Sequence, residues 1–372
     1  MTGVRHDLVV PTREPKYKKV LESLASDIRG GKYKPGQKLP SESALIQQFG
    51  TSRITVGHAL RELTQRGMIR RVAGSGSFVK IDSPQGDDLL FGLLIPNLGE
   101  TEIFGPICQG MAAARPATPH ALLWGQTDST AADKGEQALR LCRQFITHKV
   151  AGVFFAPLEL DAAKDRINQE IAARLDAAGI PVVLLDHDVV SFPQRSGHDL
   201  IGVDNRRAAY LATEHLLELG CRRIGFVGLS GAAPTVEARI AGYREALFSH
   251  DAAVDLVLVQ RLPAITPAAV RAMLNATRAK AFVCANDRTA GTLMQVLLEL
   301  GLRIPQDIRI VGMDDVEYAS LLPVPLTTIH QPCREIGEAA VEAMVERIAH
   351  PGLPARDILL DCQLVVRKSS GA

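Results

Sequence analysis

Two groups of residues in this chain of 372 residues have types and spacings suited to chemistry. The first is T-S-R-I-T-V at 51–56. Ser52, Arg53 and Thr55 fall in the first turn of a helix whose buried stripe is Val56, Leu60 and Leu63. Short hydroxyls and a guanidinium therefore point outward. Arg can bond two acceptors on a guanine edge, and Ser and Thr reach phosphates or base edges, so this helix end suits a major groove. Ser41-Glu42 opens the preceding helix and offers free backbone N–H groups to a phosphate. Lys38 lies nearby. Gly74 and Gly76, in A-G-S-G, permit close approach to a backbone or a minor groove.

The second group is a set of charges at the ends of apolar runs. Asp186 follows VVLL, Asp287 follows FVCAN, and Asp314 and Asp315 follow RIVGM. Arg239 lies in the helix after GFVGLSG. A carboxylate accepts two hydroxyl donors and an Arg donates several bonds, a combination suited to a small polyhydroxylated ligand. Phe104 offers an aromatic face for a sugar ring. Asp at a strand end also serves as a helix N-cap, so residue type alone leaves both roles open. Signatures for catalysis or a cofactor are missing. AGSGSF lacks the GK[ST] ending of a phosphate loop, and Gly225, Gly228 and Gly231 have the spacing GxxGxxG rather than GxGxxG. There is no G-x-S-x-G and no HExxH. The cysteines at 108, 142, 221, 284, 333 and 362 form no CxxC pair, and no His cluster has ligand spacing, so no metal is expected. Their apolar surroundings suit reduced, buried thiols.

The elements that position the first group lie within 15–80. Tyr17, Val20, Leu21, Leu24, Ala25 and Ile28 make one helical stripe, stopped by Gly30-Gly31. After a Pro35-Gly36 turn, Ser41 caps a short helix that buries Leu45, Ile46 and Phe49 and ends at Gly50. Ser52 caps the third helix, which closes at Gly67. Extended segments Met68–Val72 and Ser77–Val79 then flank a glycine-rich tip. Three helices and a hairpin outline a winged helix-turn-helix domain, residues 1–80. Residues 81–88 read as a linker.

From 89 to 372 short apolar runs alternate with amphipathic helical stretches. The runs are FGLLIP, ALLW, GVFFAP, PVVLLD, RIGFVG, LVLV, AFVCAN and IRIVGM. This rhythm implies α/β units with parallel sheets, in two lobes that split near 205–222, the tail passing back between them. Ligands of such sheets bind beyond the carboxyl ends of strands, where the charges above lie.

Charge divides the chain the same way. Residues 1–85 carry 15 Lys and Arg against 7 Asp and Glu, while the rest carries 27 against 34. A basic head on an acidic body is the footprint expected for a polyanion partner. The N-terminus lacks an apolar secretory core, and no run suits a membrane span, so a cytoplasmic setting is expected.

The segment 31–79 resembles the GntR-family winged helix. The matching pieces are G-x-Y-x-P-G-x-x-L-P-S-E, F-G-x-S-R-x-T-V, A-L-x-x-L-x-x-x-G and G-x-G-S-F-V. In that family the positions of Ser41, Glu42, Ser52, Arg53, Thr55 and the wing glycine contact DNA. The family usually has a basic residue directly after T-V; here it is Gly57, followed by His58. Residues 90–366 resemble the effector domain of the LacI/GalR family, which shares the periplasmic-binding-protein fold. The matches include IFGPICQGM, VDNRRAAYLATEHLLELGCRRIGFVG, EARIAGYREAL and LTTIHQPCREIGEAAVEAM. By position, Asp186, Arg239, Asp287 and Asp314 match effector contacts, Phe104 matches an aromatic near the site, and Gln331 matches a crossover residue. Glu102 stands where most relatives carry an apolar or aromatic residue. A GntR-type head on such a body resembles the arabinose-repressor type. The resemblance implies a homodimeric transcriptional regulator, a repressor more readily than an activator, with operator DNA and a carbohydrate effector as partners. The same pieces also allow a sugar-binding or sugar-modifying protein with an accessory DNA-binding head.

Overall fold

The computed structural model describes residues 16–29, 32–33, 37–65, 68–72, 76–79, 89–96, 102–116, 119–125, 134–159 and 163–372. Contacts divide the chain into two units, Met1–Gly86 and Asp87–Ala372. The linker expected at 81–88 and the tip glycine Gly74 lie outside the described residues, as do the turns at 30–31, 35–36 and 67.

The first unit holds α1 (Lys16–Arg29), α2 (Glu42–Phe49), α3 (Arg53–Gln65), β1 (Ile69–Val72) and β2 (Gly76–Val79). The helices form because their apolar residues share one face. Leu24, Leu45, Leu60 and Leu63 meet in a core closed by Ile69 and Val79. The starts of α2 and α3 are each set by a hydroxyl. Ser41 Oγ accepts from the N–H of Ala44 at 3.2 Å, and Ser52 Oγ accepts from that of Thr55 at 3.3 Å. Gly50 ends α2 in the left-handed region at φ 55°. The strands pair antiparallel, with Ile69 opposite Val79. Residues 37–39 join the wing as an extra edge, Leu39 N–H donating to Ser77 and Val79 N–H to Gln37, both at 2.8 Å.

The second unit has two lobes. Its elements are β3 (Leu89–Leu94), α4 (Phe104–Ala113), β4 (His120–Trp124), α5 (Lys134–His148), β5 (Gly152–Phe155), α6 (Lys164–Ala177), β6 (Val182–Leu185) and β7 (Asp199–Val203). They continue with α7 (Asn205–Glu218), β8 (Ile224–Leu229), α8 (Pro234–Ser249), β9 (Val259–Leu262), α9 (Pro267–Thr277), β10 (Ala281–Cys284), α10 (Asp287–Glu299) and β11 (Arg309–Val311). The last are β12 (Thr328–His330), α11 (Cys333–Ala349), β13 (Asp357–Leu360) and β14 (Gln363–Val365).

The first lobe is a parallel sheet in the order β13-β7-β6-β5-β3-β4. The second is a parallel sheet in the order β11-β10-β8-β9, extended beside β11 by the antiparallel pair β12-β14. Strands buried on both faces explain the uninterrupted apolar runs. The chain passes between lobes after β7, after β12 and after β13. Two details differ from the sequence reading. Leu256–Leu258 of LVLV is a 3-10 turn and β9 starts at Val259. The sequence reading also passed over β7 and β13, although DLIGV and DILL are largely apolar; β12 and β14 have no such run and form by pairing with each other.

The crossover helix α11 lies against α4 with backbones nearly touching. A Cβ on Gly110 would stand 2.0 Å from the carbonyl oxygen of Arg334, and one on Gly337 would stand 2.1 Å from that of Ile107. Only glycine at both positions permits this approach.

Candidate functional site

In the head, Arg53 is an open member of the expected DNA contacts. Its side chain is 84% exposed, with Nε 3.7 Å from Glu42 Oε2. Ser52 and Thr55 share a hydroxyl–hydroxyl bond of 2.9 Å, so Ser52 is occupied with capping as well as facing outward. Ser41 is likewise an exposed cap. Gly76 sits at φ 110°, a conformation that side chains rarely adopt, and its missing Cβ leaves room for Lys38 Cε at 3.0 Å. The structure thus brings Lys38 and Gly76 together at the base of the wing. The sequence reading passed over Ile54, which is 82% exposed beside Arg53. An exposed apolar side chain there suits a thymine methyl. His58 turns away to stack against Tyr17, ring centroids 4.2 Å apart.

In the body, Asp186, Arg239 and Asp314 converge on one cavity between the lobes, with Ile103, Glu159 and Asn286 also on its wall. Each stands where the fold predicts, Asp186 after β6, Asp314 after β11 and Arg239 on α8. The backbone there is strained: Asp186, Asp314 and Asp315 have φ of 70°, 119° and 56°. Left-handed non-glycine residues cost on the order of 1 kcal/mol each and persist where surrounding structure holds them. Arg239 is 5% exposed; its Nε donates to Asn205 Oδ1 at 2.7 Å and its Nη1 to the Ala285 carbonyl at 2.5 Å. Gln331 Nε2 donates to Asp314 Oδ1 at 2.7 Å, tying the crossover to the cleft.

The carboxyls are driven apart in acidity. Burial would raise Asp186, but the hydrogen bond from His187 and the charges of His187 and Arg239 outweigh it and hold Asp186 below its ordinary value. Burial pushes Asp314 well up against Arg239, with Asp287 and Asp186 adding repulsion. Burial, then Asp186, also raises Glu159. The shifts run in opposite directions, so proton demand differs across the cavity. Glu159, Asp186 and His187 bring possible ligand atoms within 4.8 Å of one another. Such a trio could hold a cation, but the Asp186–His187 bond and the nearby Arg239 charge oppose it.

Two expected contacts are elsewhere. Phe104 is 2% exposed in the first lobe's core, because the opening turn of α4 aims it at the sheet; its neighbour Ile103 lines the cavity. Asp287 is fully buried and faces away from the cavity. It accepts from Thr328 Oγ1 at 2.5 Å and from the Val316 N–H at 3.1 Å, holding β12 to the loop after β11. Its neighbour Asn286 lines the cavity and caps α10 through Thr289. Adjacent residues at a strand end point opposite ways, and residue type did not say which faced the cavity.

The cavity encloses about 60 Å³, room for a few waters. A groove of about 740 Å³ adjoins it, sharing Ile103 and Asp314 and carrying Glu102, Trp124 and Gln331 on its wall. Among the described residues, side chains bridge the lobes. Tyr318 OH donates to Glu102 Oε1 at 3.3 Å, and Lys164 Nζ donates to the carbonyls of Gly231 and Ala232.

Comparison with known proteins fits both halves. Residues 16–79 match the family of bacterial regulatory proteins of the gntR type, and 213–370 match the periplasmic binding protein-like domain. The arabinose metabolism transcriptional repressor of Geobacillus stearothermophilus is 30% identical over 369 residues, 96% of this chain and 98% of its own. The chain belongs to the AraR-like family of transcriptional regulators. The HTH-type transcriptional regulator MalR of Streptomyces coelicolor is 29% identical, covering 88% of this AraR-like chain and 96% of its own. The solved transcription regulator GntR from Chromobacterium violaceum has a TM-score of 0.58 and 27% identity, over 76% of this chain and 99% of its own. This AraR-like protein is therefore a DNA-binding transcriptional regulator, with a GntR-type head and a LacI-type effector body. Among the described residues, no helix is long and apolar enough to cross a membrane.

Proposed function

We propose that this regulator is a sugar-responsive repressor, working as a cytoplasmic homodimer on a two-fold-related operator. The observation that carries the reading is the cleft: Asp186, Asp314 and Glu159 converge on one cavity with Arg239, which is fixed by Asn205 and the Ala285 carbonyl. Asn286, Glu159 and, through Asp314, Gln331 complete a polar shell for a small carbohydrate. The arabinose repressor named above makes a pentose the first effector to test. In the head, Arg53 reads a base edge, while Lys38, Ser41, Glu42, Ser52, Thr55, Gly74 and the wing at Gly76 position the duplex backbone. The sugar acts only through its different affinity for the DNA-competent and DNA-free states, so operator DNA lowers sugar affinity by the same factor.

The test is a pair of variants. Arg53→Ala should abolish operator binding and keep sugar affinity. Arg239→Ala should keep operator binding and abolish release by sugar. A normal sugar response in Arg239→Ala would remove this cleft as the effector site.

A further inference from the structure

The cleft lies beyond the C-terminal ends of β8, β10 and β11. At the opposite end of the same strands a second cavity, of about 410 Å³, opens on the second lobe. Five cations line it, Arg222, Arg223, Arg278, Lys280 and Arg309, against a single carboxylate, Asp307. That carboxylate is already taken. Arg303 grips both its oxygens at 2.9 Å, and this hydrogen-bonded pairing holds it at about 2.

Two of the cations have structural duties. Arg223 donates to the carbonyl of Thr277 at the end of α9, and Arg309 to that of Leu219 at the end of α7. Those bonds to helix-end carbonyls account for both. The other three have no such bond. Among the described residues, the side chains of Arg222, Arg278 and Lys280 make no hydrogen bond or ion pair, and all three residues are exposed. Arg278 moreover occupies the left-handed C-cap of α9, at φ 49°, where glycine is the unstrained choice. This cluster stands on a body whose overall charge is negative, so it is a local reversal of the field rather than part of a basic surface.

We propose that this cavity is a second ligand site, taking a small molecule that carries a phosphoryl group. Guanidinium forks match phosphate oxygens, and several unpartnered cations suit a multivalent anion. The volume exceeds that of one phosphate and leaves room for an organic portion. The cations gather around one concavity rather than along a stripe, which favours a small molecule over a duplex. The site is independent of the sugar reading of the cleft.

The test is calorimetric titration of the full chain with inorganic pyrophosphate at about 0.15 M salt. The comparison variant is Arg278→Gly combined with Lys280→Ala; glycine relieves the backbone at 278, so the fold is kept. Saturable binding by the unaltered chain is expected, at least about tenfold weaker in the double variant and unchanged in Arg239→Ala. Absence of binding, or equal affinity in the double variant, would overturn the proposal. Loss in Arg239→Ala would move the anion to the cleft. Weaker DNA binding with unchanged pyrophosphate affinity in the double variant would assign the cations to a nucleic acid, which equally sinks it.

Discussion

Lys164 on the first lobe holds Ala232 on the second: its ammonium donates to the Ala232 carbonyl at 2.8 Å and to Gly231 at 2.9 Å. The loop it holds carries Ala232 and Ala233, part of the wall of the cavity between the lobes. Removing the latch should shift the lobes toward the open state. Lys164→Ala is expected to weaken sugar binding about threefold to tenfold, since a partly exposed charged hydrogen bond contributes about 1 kcal/mol. Calorimetry with a pentose effector measures this; an unchanged affinity would show that the latch does not bias closure.

The body should lose stability as pH rises through neutrality. Burial raises the Asp287 carboxyl to about 7, opposed by hydrogen bonds from Thr328 and Val316 and helped by Asp315. A group raised in the folded state binds its proton more tightly there. Its contribution is complete below the ordinary value of 3.8 and is lost as pH climbs through about 7. Asp314 acts in the same direction. Asp186 and Asp199 are lowered and act oppositely, losing their contribution only in acid. Tm is therefore expected to fall from about pH 5 to about pH 8. Asp287→Asn, an isostere of the neutral acid, should flatten that fall. A slope unaltered by the substitution would place its source elsewhere.

Gly57 is not required by packing in the head. A Cβ there would meet only the Arg61 guanidinium, at 4.0 Å. In mid-helix the residue costs about 0.5–1 kcal/mol relative to alanine. It lies one turn from Arg53 on the same face. Gly57→Ala should therefore raise the head's unfolding midpoint while weakening operator affinity several-fold in a mobility-shift titration. Full affinity in the stabilised variant would mean that DNA never approaches that face closely.

Gly110→Ala tests the α4–α11 contact. Its new methyl would lie 2.0 Å from the backbone oxygen of Arg334, which cannot move without shifting the helix. A loss of about 1–3 kcal/mol in urea unfolding is expected, and a neutral result would show that the helices separate freely.

Much of this was legible in the residues because it is local. The hydroxyl caps at Ser41 and Ser52, the left-handed Gly50 and the apolar stripes are each set within a few positions. The buried parallel strands announced themselves as apolar runs. What escaped depends on distant partners. β12 and β14 are three residues each and exist because they pair. Phe104 and Asp287 were read from their place beside the cleft, but it is their neighbours Ile103 and Asn286 that line the cavity. Glu159 had no strand-end motif to mark it, and its importance comes from burial beside Asp186.

The three passages of the chain between lobes also bear on how such proteins arise. Each lobe is assembled from stretches that are discontinuous in sequence, with β13 returning to the first sheet and β14 to the second. No single break in a gene could exchange one lobe and leave the other intact. The head, by contrast, ends at one covalent joint near residue 86. Recombination can replace it without cutting the sensor, so the sensor is inherited whole while the reader of DNA is free to be traded.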